Sequence, residues 1–198
     1  TAPTAPTGLA AANVTESSLD LGWNAATDNV GIASYDVYQD GILLGNTAGL
    51  TYAVGGLNAA TAYDFYVVAL DAAGNASAPS ATLNVLTPDL TAPTAPSALI
   101  ASNITETTAD LGWTAASDNV GVTSYEVYQN GSLLGSTALT TYPLSGLSAA
   151  SAYNYYVIAY DAAGNASTAS NSVNFVTPDN TAPTAPTGLA AANVTESS

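Results

Sequence analysis

In 198 residues the chain carries fifteen carboxylates and no lysine, arginine, histidine or cysteine, for a formal net charge of −15 at pH 7. Without cationic side chains it cannot neutralise phosphates, which excludes nucleic-acid binding and electrostatic attraction to anionic lipid. Without thiol or imidazole it has no disulfide framework and almost no transition-metal chemistry, so hard, oxygen-preferring cations are the metals left to it. No apolar run reaches the roughly 18 residues that span a bilayer, and no direct membrane insertion is expected of this segment.

The hexapeptide Thr-Ala-Pro-Thr-Ala-Pro begins at Thr1, Thr91 and Thr181, so the chain repeats with a period of 90 residues. Trp23 matches Trp113, Asp28 matches Asp118, Tyr63 matches Tyr153, Asp71 matches Asp161 and Asp89 matches Asp179, without an insertion. The expected organisation is a repeat over 1–90, a second over 91–180, and the start of a third over 181–198, where Thr181–Ser198 restates Thr1–Ser18 letter for letter. The segment reads as a window cut from a longer array.

Within a repeat, Leu19, Leu21 and Trp23 alternate with polar or small residues, the pattern of a half-buried strand. Turn residues follow over Asn24 to Gly31, and a second alternation starts at Tyr35 and Val37. Gln39-Asp40-Gly41 and its counterpart Gln129-Asn130-Gly131 close hairpins, because Asp-Gly and Asn-Gly suit the turn that joins twisted antiparallel strands. Thr51 to Val54 makes a short strand, Tyr63 to Leu70 the longest one, and Leu83 to Thr87 the last before Pro88. Short strands at regular spacing, with turns between them and no helical period, predict tandem antiparallel β-sandwiches, an all-β fold.

These residues resemble fibronectin type III repeats of the bacterial secreted kind. The resemblance rests on Trp23 and Trp113, on the Tyr-x-Val-Tyr strands at Tyr35 and Tyr125, on Gly-Leu followed six residues later by Tyr (Leu57 and Tyr63, Leu147 and Tyr153), and on Asp-Ala-Ala-Gly-Asn at Asp71 and Asp161. It implies core positions for both tryptophans and a tyrosine corner at Tyr63 and Tyr153, with each hydroxyl bonded back to the chain just upstream. It also implies that the loop after the second strand and the loop before the last strand share the end of the sandwich where the chain enters.

That arrangement would gather Asp89, Asp118, Asn119, Asp161 and Asn165 at one inter-repeat joint. Three carboxylates and two amides match the six to eight oxygens Ca²⁺ takes at about 2.3–2.6 Å. The rival reading makes Asp28-Asn29 and Asp118-Asn119 turn formers whose side chains bond nearby backbone amides. Asp28 and Asp71 lack a preceding linker here, so the cation reading distinguishes the two repeats.

The Pro-rich linkers are stiff spacers, and their threonines are candidates for O-glycans. Asn-x-Ser/Thr occurs at Asn13, Asn75, Asn103, Asn130, Asn165 and Asn193. Tyr38, Tyr66, Val68, Leu70, Tyr128, Tyr156, Ile158 and Tyr160 should face away from the core, an apolar patch where a solvated sheet is normally polar. It would serve lateral or end-to-end packing with other copies of the chain, or binding of polysaccharide. No nucleophile has a basic partner, and repetition argues against a single active site, so no enzyme is expected. The favoured function is a structural repeat of a secreted or cell-surface protein: a rod-like adhesin stalk or an extracellular fibre or filament. The alternative is a polysaccharide-binding or spacer module of an extracellular enzyme.

Overall fold

The structure is a computed structural model, and it describes residues 1–190 and residue 192. Among the described residues every regular element is a strand. The first seven are β1 (Thr7–Ala12), β2 (Ser18–Asn24), β3 (Ile32–Gln39), β4 (Ile42–Thr47), β5 (Thr51–Gly55), β6 (Ala62–Asp71) and β7 (Leu83–Leu86). They form a three-stranded sheet in the order β1-β2-β5 and a four-stranded sheet in the order β4-β3-β6-β7, with antiparallel neighbours. The same pair of sheets recurs with β8 (Ser97–Ser102), β9 (Thr108–Thr114), β10 (Val122–Gln129), β11 (Ser132–Thr137), β12 (Thr141–Ser145), β13 (Ala152–Asp161) and β14 (Val173–Val176). The sequon at Asn193 lies outside the described residues, as do residues 191 and 193–198 of the third repeat's opening.

The alternation read from the sequence sets the core. Leu19, Leu21 and Trp23 of β2 are buried together with Tyr35 and Val37 of β3 and Tyr63, Phe65, Val67 and Ala69 of β6. Each large side chain so removed from water contributes about 1.5–3 kcal/mol. Trp23 meets Tyr35 edge-on at 5.6 Å, and Trp113 meets Tyr125 at 5.5 Å. Both tryptophans therefore fill the core, as expected.

Local geometry follows turn chemistry. Asp40 and Gly41 have φ of 50° and 80°, and Asn130 and Gly131 have 50° and 84°. Two successive positive φ values define the hairpin turn that Asp-Gly and Asn-Gly favour. Tyr63 Oη accepts the Asn58 amide at 2.8 Å, and Tyr153 Oη accepts the Ser148 amide at 2.8 Å, so both tyrosine corners form. Strand β1 has no counterpart in the alternation analysis, because Thr-Gly-Leu-Ala-Ala-Ala carries too little hydrophobic contrast to show a period.

The contacts divide the chain into two compact units. One comprises residues 1–95 with 116–124 and 158–169; the other holds 96–115, 125–157 and the described residues from Ser170 onward. The units differ from the 90-residue sequence repeats: residues 116–124 and 158–169 of the second repeat group with the first.

Candidate metal centre

In the inward row of β6, Tyr63, Phe65, Val67 and Ala69 are followed two residues later by Asp71. Because side chains on a strand alternate, the acid at the strand's end faces the same way as the core. Asp161 ends β13 identically, and both carboxylates are buried. The loop after each acid turns back to satisfy it. Asp71 Oδ1 accepts the Ala73 and Asn75 amides at 2.9 Å, and its Oδ2 accepts Asn75 Nδ2 at 2.7 Å. Asp161 Oδ1 accepts the Asn165 amide at 2.8 Å, and its Oδ2 accepts Asn165 Nδ2 at 2.7 Å.

Asp118 closes the turn before β10. Its Oδ2 accepts the Val120 and Gly121 amides at 2.9 and 2.8 Å, as the turn-former reading requires. Its Oδ1 is buried and has no hydrogen-bond partner among the described residues. Asp89 arrives from the chain leaving β7. Its Oδ1 accepts Asn119 Nδ2 at 3.3 Å and the Thr91 amide at 3.4 Å, whereas its buried Oδ2 has no partner among the described residues. Asp89 is 8% exposed and Asp161 4% exposed. One oxygen from each of Asp89, Asp118 and Asp161 lies within 4.8 Å of the others. All three acids belong to the first compact unit.

Asn119 and Asn165 also reach this place, but through their amide nitrogens. Asn165 Nδ2 donates to Asp161, to the Asp89 carbonyl at 3.1 Å and to the Thr91 carbonyl at 3.4 Å. They buttress the carboxylates; the oxygens left without a hydrogen-bond partner among the described residues are Asp89 Oδ2 and Asp118 Oδ1, whereas both Asp161 oxygens accept from Asn165.

Hydrogen bonding governs the charges. Burial pulls the Asp161 pKa upward, but the Asn165 side chain and neighbouring backbone amides outweigh it, and the net shift is downward. Asn75 lowers Asp71, chiefly through its side chain, and the Val30 amide lowers Asp28. Sequence reasoning missed Glu16, which accepts the Leu90 amide and, at 3.0 Å, the Thr91 hydroxyl; the Leu90 bond holds its pKa down. Glu106 repeats the contact with Asn180 and Thr181. The Glu at a 90-residue match before each Thr-Ala-Pro was the available signal. Thr94 completes the positioning of the linker, donating its amide to the Ser117 carbonyl at 2.8 Å and accepting the Ser117 amide at 2.8 Å.

The proposed lateral residues Tyr38, Tyr66, Val68, Leu70, Tyr128, Tyr156, Ile158 and Tyr160 are half-buried. Tyr38 and Tyr66 are directly opposed across β3 and β6, their rings 4.7 Å apart and 8° from parallel. Tyr128 and Tyr156 stack at 4.8 Å and 7°. The more exposed apolar side chains were missed: Leu43, opposite Tyr38, is 51% exposed, and Leu133, opposite Tyr128, is 55% exposed. They lie on edge strands just after the hairpin turns, where the alternation is interrupted by a bulge.

A family model for the fibronectin type III domain matches residues 4–85 and 94–176. Exoglucanase B of Cellulomonas fimi is 43% identical over 210 aligned residues, covering 100% of this chain and 19% of that protein. Chitinase A1 of Niallia circulans is 46% identical over 89% of this chain and 26% of the relative. Exoglucanase A of Cellulomonas fimi is 47% identical over 96% and 23%, respectively. The chain thus spans between 19% and 26% of the length of these relatives.

Proposed function

The chain belongs to the fibronectin type III family, and on that basis we propose that it is a non-catalytic spacer segment of a secreted, polysaccharide-degrading enzyme. One observation carries the reading. Relatives named as glucanases and a chitinase align with nearly all of this chain while leaving about three quarters or more of their own length unmatched. What they share with this chain is a segment, and chemistry belonging to the remainder need not reside in it. These relatives favour the spacer alternative over the adhesin stalk or fibre.

The stacked tyrosines favour a spacer over a sugar platform. A platform presents aromatic faces to its ligand, whereas Tyr38 and Tyr66 each turn one face toward the other at 4.7 Å. An acidic surface without cations also suits a segment that must remain solvated between other parts of a chain.

The test is to read the coding sequence on both sides of this segment and to assay the full-length secreted product on cellulose and chitin. A glycoside hydrolase domain in the same chain, together with failure of the isolated segment to sediment with either polysaccharide, is the expected result. A chain composed of further repeats and a terminal adhesive domain would return the reading to a stalk.

A further inference from the structure

We propose that Asp89, Asp118 and Asp161 hold a calcium-class divalent cation. Two oxygens that share an ion at about 2.4 Å are at most about 4.8 Å apart, and the three carboxylates meet that limit together. The inference does not depend on the cluster's charge alone. Asp89 is more than nine-tenths buried, and its Oδ2 has no hydrogen-bond partner among the described residues; the half-buried Asp118 also leaves a buried Oδ1 without one. A buried, unpaired carboxylate oxygen is costly unless something positive or hydrogen-bonding meets it. The second oxygen of each acid is already fixed, that of Asp118 by the Val120 and Gly121 amides and that of Asp89 by Asn119. Asp118 and Asp89 are thus each held in place by one oxygen and free at the other, while Asp161 is fixed at both oxygens by Asn165.

The chain restricts what can satisfy those oxygens. It has no lysine, arginine or histidine, so no internal side chain can act as a counter-ion. The neighbouring amides are committed: Asn165 donates to Asp161 and to two backbone carbonyls. An ordered water, a shared proton or a bound cation remains. An all-oxygen donor set without thiolate or imidazole suits a hard cation, and the larger Ca²⁺ accepts several carboxylates more readily than Mg²⁺, which keeps its waters and a strict octahedron. The remaining positions would be filled by water.

Asp179, which occupies the place of Asp89 one repeat later, is exposed and belongs to no such cluster among the described residues. Asp28 and Asp71 likewise have no third carboxylate with them. One such site is therefore expected among the described residues.

The test is calorimetric titration of the chelator-treated chain with calcium chloride at low ionic strength, and in parallel with magnesium chloride. The expected result is a single calcium site, with magnesium at least ten-fold weaker. Asp89→Asn should weaken calcium binding at least ten-fold, and Asp179→Asn should leave it unchanged. Circular dichroism of Asp89→Asn in chelator, matching the parent, separates loss of the site from loss of the fold. Should that variant misfold, Asp118→Asn is read in the same way, by calcium affinity against an unchanged spectrum. The proposal is overturned if the parent binds no calcium, if weak binding of several ions survives Asp89→Asn, or if carboxyl NMR shows a proton shared by the cluster in saturating calcium.

Discussion

The Asp28–Asp71 corner and the Asp118–Asp161 corner are built from the same letters and the same hydrogen bonds. Asp28 Oδ2 accepts the Val30 and Gly31 amides as Asp118 Oδ2 accepts those of Val120 and Gly121. Asn75 caps Asp71 as Asn165 caps Asp161. Even the orphaned oxygen recurs, at Asp28 Oδ1 and Asp118 Oδ1. What differs is the third participant. Asp89 stands with Asp118 and Asp161 at one corner, whereas among the described residues no third carboxylate is grouped with Asp28 and Asp71 at the other. A loop pair that is only a turn and a cap in one setting becomes a three-carboxylate cluster in the other, through one residue of the preceding linker.

The comparison is bounded by what the repeats share. Trp23 and Trp113 occupy equivalent cores, so Trp23→Ala and Trp113→Ala should each cost about 3–5 kcal/mol in urea unfolding. A difference of more than about 1.5 kcal/mol between them would show that the cores are not interchangeable and would weaken every inference drawn by matching positions.

The next effect separates the corners. If the cluster binds calcium, a concentration one hundred times the dissociation constant stabilises the fold by about 2.7 kcal/mol. Asp161→Asn should abolish most of the calcium-dependent rise in melting temperature, while Asp71→Asn should keep it. Equal losses in the two variants would mean that calcium acts on the chain's charge as a whole.

Acid titration probes the same corners without metal. The pKa values of Asp71 and Asp161 lie below the ordinary value of 3.8, so the folded state binds these protons more weakly than the unfolded chain. Their contribution is present above the unfolded value and is lost as pH falls through the folded one. In chelator, Asp71→Asn should flatten the acid limb of the stability curve, and an unchanged limb would place the acid sensitivity elsewhere.

Much of this was legible in the sequence because it depends on period. Alternation placed Trp23 and Phe65 inside, and the same alternation carries Asp71 and Asp161 to the inner face. Asp-Gly and Asn-Gly fixed the hairpins. The convergence of Asp89, Asp118 and Asp161 came from the loop order that the resemblance implied, and the structure brings them together. The direction of each amide did not follow from spacing: Asn119 and Asn165 were expected to offer oxygen and instead donate nitrogen, because carboxylates beside them are acceptors only. Glu16 escaped notice because its partners, Leu90 and Thr91, lie more than seventy residues away.

The smallest effect tests a difference inside the core. Position 65 is Phe and its match, position 155, is Tyr; both are fully buried, and Tyr155 stacks on Phe175 at 5.6 Å. The Tyr155 hydroxyl has no hydrogen-bond partner among the described residues, and burial pushes its pKa up to about 12. An unsatisfied buried hydroxyl costs about 1–3 kcal/mol, so Tyr155→Phe should stabilise the second repeat by about 1 kcal/mol at pH 7, and Phe65→Tyr should destabilise the first by a similar amount. The pH dependence has a definite sign. The folded state holds the phenolic proton above the ordinary pKa of 10, so stability is intact below that value and declines as pH rises from about 10 toward 12. Urea unfolding at neutral and alkaline pH should therefore show Tyr155→Phe gaining over the parent as pH increases; a constant difference would mean that the hydroxyl reaches water in the folded state.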